Sequence, residues 1–377
     1  VESGVTANTQ ARDMALQLGD AVELAIRESN LAIDQFLAGQ FTVAREGLER
    51  AVGLCRGVAA EYRAVNSLLW LGRVGLAEGD LKRAKRDAEL ALDLAREAGA
   101  RFIPDCHDVI GAVRIAESNW DAAESSFRQA LSMRNRTDHL AGCICSLIGL
   151  GEVHEHRGVW AEARSCYAEA VGIGQQMDPS PHLVGAKRHL GMLLHMLSER
   201  ENARAELEAA MTLASSMASS VEYPPMLLAA ATVNWQELQL QERIDIAQKA
   251  LERGLTASLA IEGHALIAQL QCTLANQTEA AKHADASVTC AESFGVAHLC
   301  AIAWSTRAGV TAAAGFAPAT AVTELQRALG WIQQADSALG RERALNFARQ
   351  CVAQIPEIPD EIKRALDYSL HPSLTPN

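Results

Sequence analysis

Residues 152–156 read Glu152-Val-His154-Glu155-His156, and this is the densest group of chemistry-bearing side chains in the sequence. Glu152 and His156 stand one helical turn apart, which is the spacing two metal ligands would need on one helix face. The pattern is not His-Glu-x2-His, and a third ligand would have to come from another helix, with His195 as a candidate. The reading adopted is therefore a polar groove wall, with no metal, no cofactor and no catalytic residue expected. Cys143-Ile-Cys145 is the second group. On a helix, residues two apart point away from each other, so the pair is expected as reduced apolar filler. The nine cysteines are odd in number and irregularly spaced, which predicts a reducing, cytoplasmic setting. No phosphate-cradling Gly-x4-Gly-Lys-Ser/Thr loop, no Gly-x-Gly-x2-Gly fingerprint and no Gly-x-Ser-x-Gly elbow occurs. The chain is not expected to be an enzyme.

What positions these residues is a repeat. Alanine recurs at 44, 84, 123, 163 and 203, in steps of 40, 39, 40 and 40, and then at 281 and 321, with Arg243 in the slot between. Seven residues later a second ladder runs through Ala51, Ala91, Ala130, Ala170, Ala210, Ala250, Val288 and Ala328. A Leu-Gly pair precedes the marker alanine by about twelve residues, a turn glycine by five, and a bulky residue by three. Leu150-Gly151, Gly158, Trp160, Ala163, Tyr167 and Ala170 make up one such copy. Apolar residues at spacings of three, four and seven form one face of a helix. Gly and Ala at fixed sites allow two helices to approach closely.

This pattern resembles the tetratricopeptide repeat, a helix-turn-helix unit usually of about 34 residues. The resemblance covers residues 20 to 337 and implies an all-α, right-handed superhelical solenoid of about eight helix pairs with repeats of ~40 residues. Residues 1–19 are read as an N-terminal capping segment, with a helix over 7–18. Residues 338–370 are read as C-terminal capping helices, and 371–377 as a disordered tail. Solenoids need such covers at their ends. Copies six and seven are the weak units. Copy six carries Arg243, Pro224-Pro225 and no turn glycine, and copy seven places Asp285 in an apolar slot.

In such a solenoid the first helices line the inner surface. Helical spacing predicts Arg73, Asp108, Glu152, Glu155, His156, Arg188, His195 and Trp235 as groove contacts. Trp235 would supply apolar area, and Arg188 would pair with a carboxylate or phosphate of the partner. The partner is expected to be a protein, a peptide or a small-molecule effector, with homo-oligomerisation left open. A net charge of −12 without basic runs argues against direct nucleic-acid or anionic-membrane binding. The hydrophobic content of 49% includes no apolar run of membrane-spanning length. The ~40-residue unit and layout also resemble the sensor domain of MalT-type, LuxR-family signal-transduction ATPases. That likeness implies a ligand-sensing part of a larger transcription regulator, and the alternative is a free-standing scaffold or peptide-binding adaptor. Val1 in place of a start methionine, without a signal peptide, fits a processed chain or a fragment.

Overall fold

The computed structural model describes residues 2–57, 64–98, 100–217, 221–234, 236–315 and 318–352, with Pro359 and Ile362. All regular structure among them is helical. A first helix, α1 (Glu2–Leu18), is followed by eight helix pairs and a last helix, α18 (Ala338–Val352). The pairs are α2 (Ala21–Leu37) with α3 (Phe41–Gly57), α4 (Val65–Glu78) with α5 (Leu81–Ala98), α6 (Ile103–Ala116) with α7 (Trp120–Asn135), and α8 (Leu140–Arg157) with α9 (Trp160–Gly174). They continue as α10 (Pro181–Met196) with α11 (Arg200–Ser216), α12 (Tyr223–Val233) with α13 (Leu240–Glu252), α14 (Ala257–Thr273) with α15 (Gln277–Phe294), and α16 (Ala297–Ala313) with α17 (Pro318–Gln334). The helical repeat read from the sequence is the architecture of the chain.

The ladder alanines explain the pairing. Ala44, Ala84, Ala123 and Ala163 are fully buried, and Ala203 nearly so. Each lies on the second helix of its pair, where a methyl group lets the two backbones close up. Four residues on, a larger side chain lies over the glycine of the Leu-Gly pair. A Cβ on Gly111 would meet the Phe127 ring at 2.7 Å, and one on Gly191 would meet Leu207 at 2.6 Å. The glycine is thus the notch into which the second helix's key residue fits.

Turns between paired helices need a left-handed residue to end the first helix. Gly39, Gly79 and Gly158 supply it at φ 77°, 83° and 76°. Ser118 and Ser198 take the same conformation in their copies, at φ 58° and 64°. Some N-caps are made by side chains. Asp20 accepts from the Val22 and Glu23 backbone amides, and Ser180 accepts from that of Leu183.

Two readings are corrected in copy seven. Its ladder runs through Ala280, Ala284 and Ser287, all fully buried, whereas Ala281 is only half-buried. The copy is one residue out of the expected step, and adjacent alanines hid the slip. Asp285 consequently does not sit in an apolar slot; it faces outward and pairs with Arg307. The N-terminal helix is also longer than 7–18, starting at Glu2. Trp235 and the segment 371–377 lie outside the described residues, as does most of 353–370.

The chain divides into two compact units. One is drawn from Val1–Glu155, Val159–Trp235 and Lys249–Thr256, and the other from His156–Gly158, Gln236–Gln248 and Ala257–Asn377. Apart from His156–Gly158, the division falls in and just after copy six, whose first helix, α12, has 11 residues against 17 for α14. In the first unit, a Cβ on Gly254 would lie 2.7 Å from the Gly39 carbonyl oxygen, so those two backbones are in direct contact. The core of the second unit is built on Ile302, Leu325, Ala344 and Ala348.

Candidate functional site

One polar cluster gathers on the face made by α8, α10 and the residue preceding α12. It begins with a glycine. A Cβ on Gly151 would run into the Tyr167 ring, so the bare backbone of α8 lets that ring cross from α9. The fully buried Tyr167 thereby carries its hydroxyl through to the α8 face, where it donates a 2.6 Å hydrogen bond to Glu155 Oε2. Glu152 lies one turn before Glu155 on the same face.

From α10, the His189 ring lies 5.3 Å from the Tyr167 ring, and its Nε2 is 3.7 Å from Glu152 Oε1. Arg188 donates to His189 Nε2 at 3.1 Å and to Glu222 Oε2 at 3.4 Å. Accepting at Nε2 assigns the His189 proton to Nδ1. Arg188 Nε is buried and makes no hydrogen bond.

The electrostatics follow from this crowding. Glu152 keeps 37% of its side-chain exposure, yet it sits deep among neighbouring atoms. Loss of water around it, then the nearby Glu155 and Glu222 carboxylates, push its pKa up to about 7, against the pull of Arg188. Burial and the adjacent Arg188 charge drive His189 well below its ordinary value, so it is neutral. Burial and the two glutamates raise Tyr167 well above the usual phenol. Among the described residues, Glu152 has no cationic partner within 4.0 Å, since His189 is uncharged.

Of the eight residues expected in the groove, Glu152, Glu155 and Arg188 meet here. Arg188 was expected to await an anion; it is instead already engaged by Glu222 and His189. Asp108 was expected on the open face and is buried at 8% exposure. The Arg134 guanidinium from α7 binds it, Ser146 Oγ donates to it at 2.9 Å, and Arg134 also reaches Asp105 Oδ1 at 2.8 Å and the Gly142 carbonyl at 2.9 Å. Asp108 is thus part of a packed polar joint between α6, α7 and α8. Burial still pushes its carboxyl up, although Arg134 opposes that. Arg73 stacks over the Trp70 ring at 4.5 Å and lies 4.0 Å from Asp105.

His156 belongs to the second unit. Its Nδ1 is 2.8 Å from Ser337 Oγ, its ring is 5.3 Å from His298, and burial lowers its pKa to about 4. His195 is exposed at the end of α10, and Trp235 lies outside the described residues.

Cys145 Sγ lies 3.4 Å from His182 Nδ1, but burial pushes its thiol up to about 11, so it is not a thiolate. Among the described residues, no group of three or more His, Cys, Asp and Glu side chains converges to hold a metal. None of the described helices is long and apolar enough to cross a membrane.

Helical spacing missed Tyr167, His189 and Glu222. Tyr167 was assigned to the packing pattern. Of the residues in its slot, namely Leu48, Ala88, Phe127, Tyr167, Leu207, Ala247, Ala284 and Leu325, it alone carries a polar atom. That difference was the available signal. Glu222 sits outside the regular part of its copy and gave none.

Comparison with known proteins shows the fold. No protein-family model and no curated protein matches the sequence. The APC/C hetero-tetramer Cut9–Hcn1 superposes with a TM-score of 0.58 at 14% identity, over 91% of this chain and 59% of that one. A Rap protein complexed with competence and sporulation factor gives 0.53 at 12% identity, over 92% and 99%. Aspartyl phosphate phosphatase F from Bacillus subtilis gives 0.52 at 12% identity, over 74% and 73%. The shared architecture is the tetratricopeptide-type helix-pair repeat.

Proposed function

We propose that this chain is a protein- or peptide-binding repeat scaffold whose α8–α10 face takes a cationic side chain of its partner. The observation that carries this reading is Glu152: a carboxyl group three residues from a second one, raised to about 7, with no charged partner within ion-pair distance among the described residues. A lysine ammonium or arginine guanidinium placed between Glu152 and Glu155 would offset the lost hydration that chiefly raises that pKa and the Glu155 repulsion that adds to it. The partly exposed His189 provides ring surface beside it, and an arginine side chain stacks well on such surface. The acidic balance of the chain, −12, favours the approach of a basic segment.

The same repeat fold occurs in a Rap protein solved with competence and sporulation factor and in Cut9 solved with Hcn1, which supports a binding role. The resting chemistry points the same way. Tyr167 is held protonated, and the Cys145 thiol is far from ionising at neutral pH. The repeat length of ~40 residues supports a further reading, in which the scaffold is the sensing part of a larger, cytoplasmic transcription regulator.

The test is a peptide array probed with the labelled chain. Spots should be enriched for Lys or Arg, and acetylation of the lysines or Glu152→Gln should erase the enrichment. Enrichment for acidic or uncharged peptides would reject the reading.

A further inference from the structure

An open cavity of about 410 Å³ lies between α16 and α17, within the second unit and built from none of the residues of the α8–α10 cluster. Its size falls in the ~300–1,000 Å³ range of small-molecule sites. The Trp304 ring lines it, and the indole N–H is already used, donating at 3.2 Å to Glu292. The Arg327 guanidinium lies over that ring, its carbon 4.7 Å from the centroid, and no carboxylate among the described residues stands within 4.0 Å of it. Glu324 also lines the cavity and is only 8% exposed. Its Oε1 pairs with Arg307 Nε at 3.3 Å, but its Oε2 is buried without any hydrogen-bond partner. Arg307 is itself committed to Glu324 and Asp285. The Thr323 hydroxyl, on the same wall, spends its proton on the Ala319 carbonyl at 2.9 Å and so presents lone pairs.

These groups ask for two things at once. A buried carboxylate oxygen without a donor is costly and is normally answered by an N–H or O–H group. A guanidinium without a carboxylate asks for an anion. Glu324 and Arg327 are three residues apart on α17, so both demands arise on one face within a single turn. A molecule carrying an ammonium and a carboxylate a few ångströms apart meets both. We propose that this cavity binds a small zwitterion of the α-amino acid class, its ammonium on Glu324 Oε2 and Thr323 Oγ1 and its carboxylate on Arg327.

The experiment is calorimetric titration of the full chain with each of the twenty common amino acids, preceded by thermal-shift screening at about 10 mM, which detects affinities down to the millimolar range. At least one amino acid should bind, and its N-acetyl and methyl ester forms should each bind about tenfold more weakly or not at all. Arg327→Ala, a change at an exposed residue, should cost about tenfold in affinity, and Glu324→Gln at least as much where circular dichroism shows the chain folded. Binding should be unchanged in Glu152→Gln, which keeps this proposal separate from the peptide reading. No binding by any amino acid, equal binding of the N-acetyl form, or full affinity in folded Arg327→Ala would overturn it.

Discussion

The Tyr167 hydroxyl donates a 2.6 Å hydrogen bond to Glu155 Oε2 from a ring that reaches the carboxylate only by crossing α8 at Gly151. A second-helix residue that would otherwise be core therefore organises a first-helix polar face. Packing and site geometry depend on the same missing Cβ.

Gly151→Ala should accordingly do more harm than its helix propensity suggests. Alanine is the better helix former, by about 1 kcal/mol, but the added methyl collides with the Tyr167 ring. Overpacking of this kind costs about 1–3 kcal/mol. Urea denaturation should show net destabilisation. Gly151→Ala combined with Tyr167→Ala should be less destabilised than the sum of the two, because the collision partner is gone. Strict additivity would contradict the crossing geometry.

The Arg134–Asp108 joint makes a second prediction. Arg134 is 2% exposed and is the main counter-charge of a buried carboxylate. Removing one partner of a buried ion pair leaves the other uncompensated, at about 3–5 kcal/mol. Arg134→Ala should lose that much stability in a denaturant titration, whereas Arg128→Ala, an exposed arginine on the same helix, should change it by about 0.5 kcal/mol or less. Equal effects would show that the joint is not what holds α6, α7 and α8 together.

Much of this was legible beforehand and some was not, for identifiable reasons. The alanine ladder announced the helix pairs because a close helix–helix crossing admits nothing larger than a methyl group at that point. It failed in copy seven, where Ala280 and Ala281 are neighbours and either satisfies the pattern. Of the candidate site, Glu152, Glu155 and Arg188 could be read from helical spacing along the first helices. Asp108 followed the same spacing but turned inward to Arg134, because charge pairing across helices is a property of three-dimensional proximity. His189 stands one residue from Arg188 and was passed over by a strict face count. Glu222 precedes a helix that begins with Tyr223-Pro224-Pro225, where periodicity has not yet started.

Acid should unfold this chain earlier than its carboxylates alone would dictate. Burial lowers His264 and His156 to about 4 and His298 to about 3, and His264 Nδ1 stands 2.9 Å from His283 Nδ1. Only one proton can occupy that gap. A histidine depressed in the folded state contributes stability that is complete above its unfolded pKa near 6.5 and is lost as pH falls toward the folded value. His264 alone accounts for up to about 2 kcal/mol of loss by pH 5. Glu152 acts in the opposite sense, since its raised pKa makes the fold less stable as pH climbs from 4.5 to about 7. The melting temperature should therefore fall steeply from pH 6.5 to 4.5. His264→Gln, which keeps a hydrogen-bond partner for His283, should flatten that fall. An unchanged slope would show that the histidine pair is not held neutral.

A cation received by Glu152 and Glu155 together is tested by calorimetric titration of the strongest Lys- or Arg-containing peptide from the array into the wild-type chain and into Glu152→Gln and Glu155→Gln, at pH 6 and pH 8. Because Glu152 titrates near 7, the wild type should bind more tightly at pH 8, and at pH 6 binding should release a proton to the buffer. Each glutamine variant should lose about tenfold in affinity at pH 8, and Glu152→Gln should also lose most of the pH dependence. Affinities within about twofold of the wild type in both folded variants, with the pH dependence intact, would place the binding surface elsewhere on the molecule.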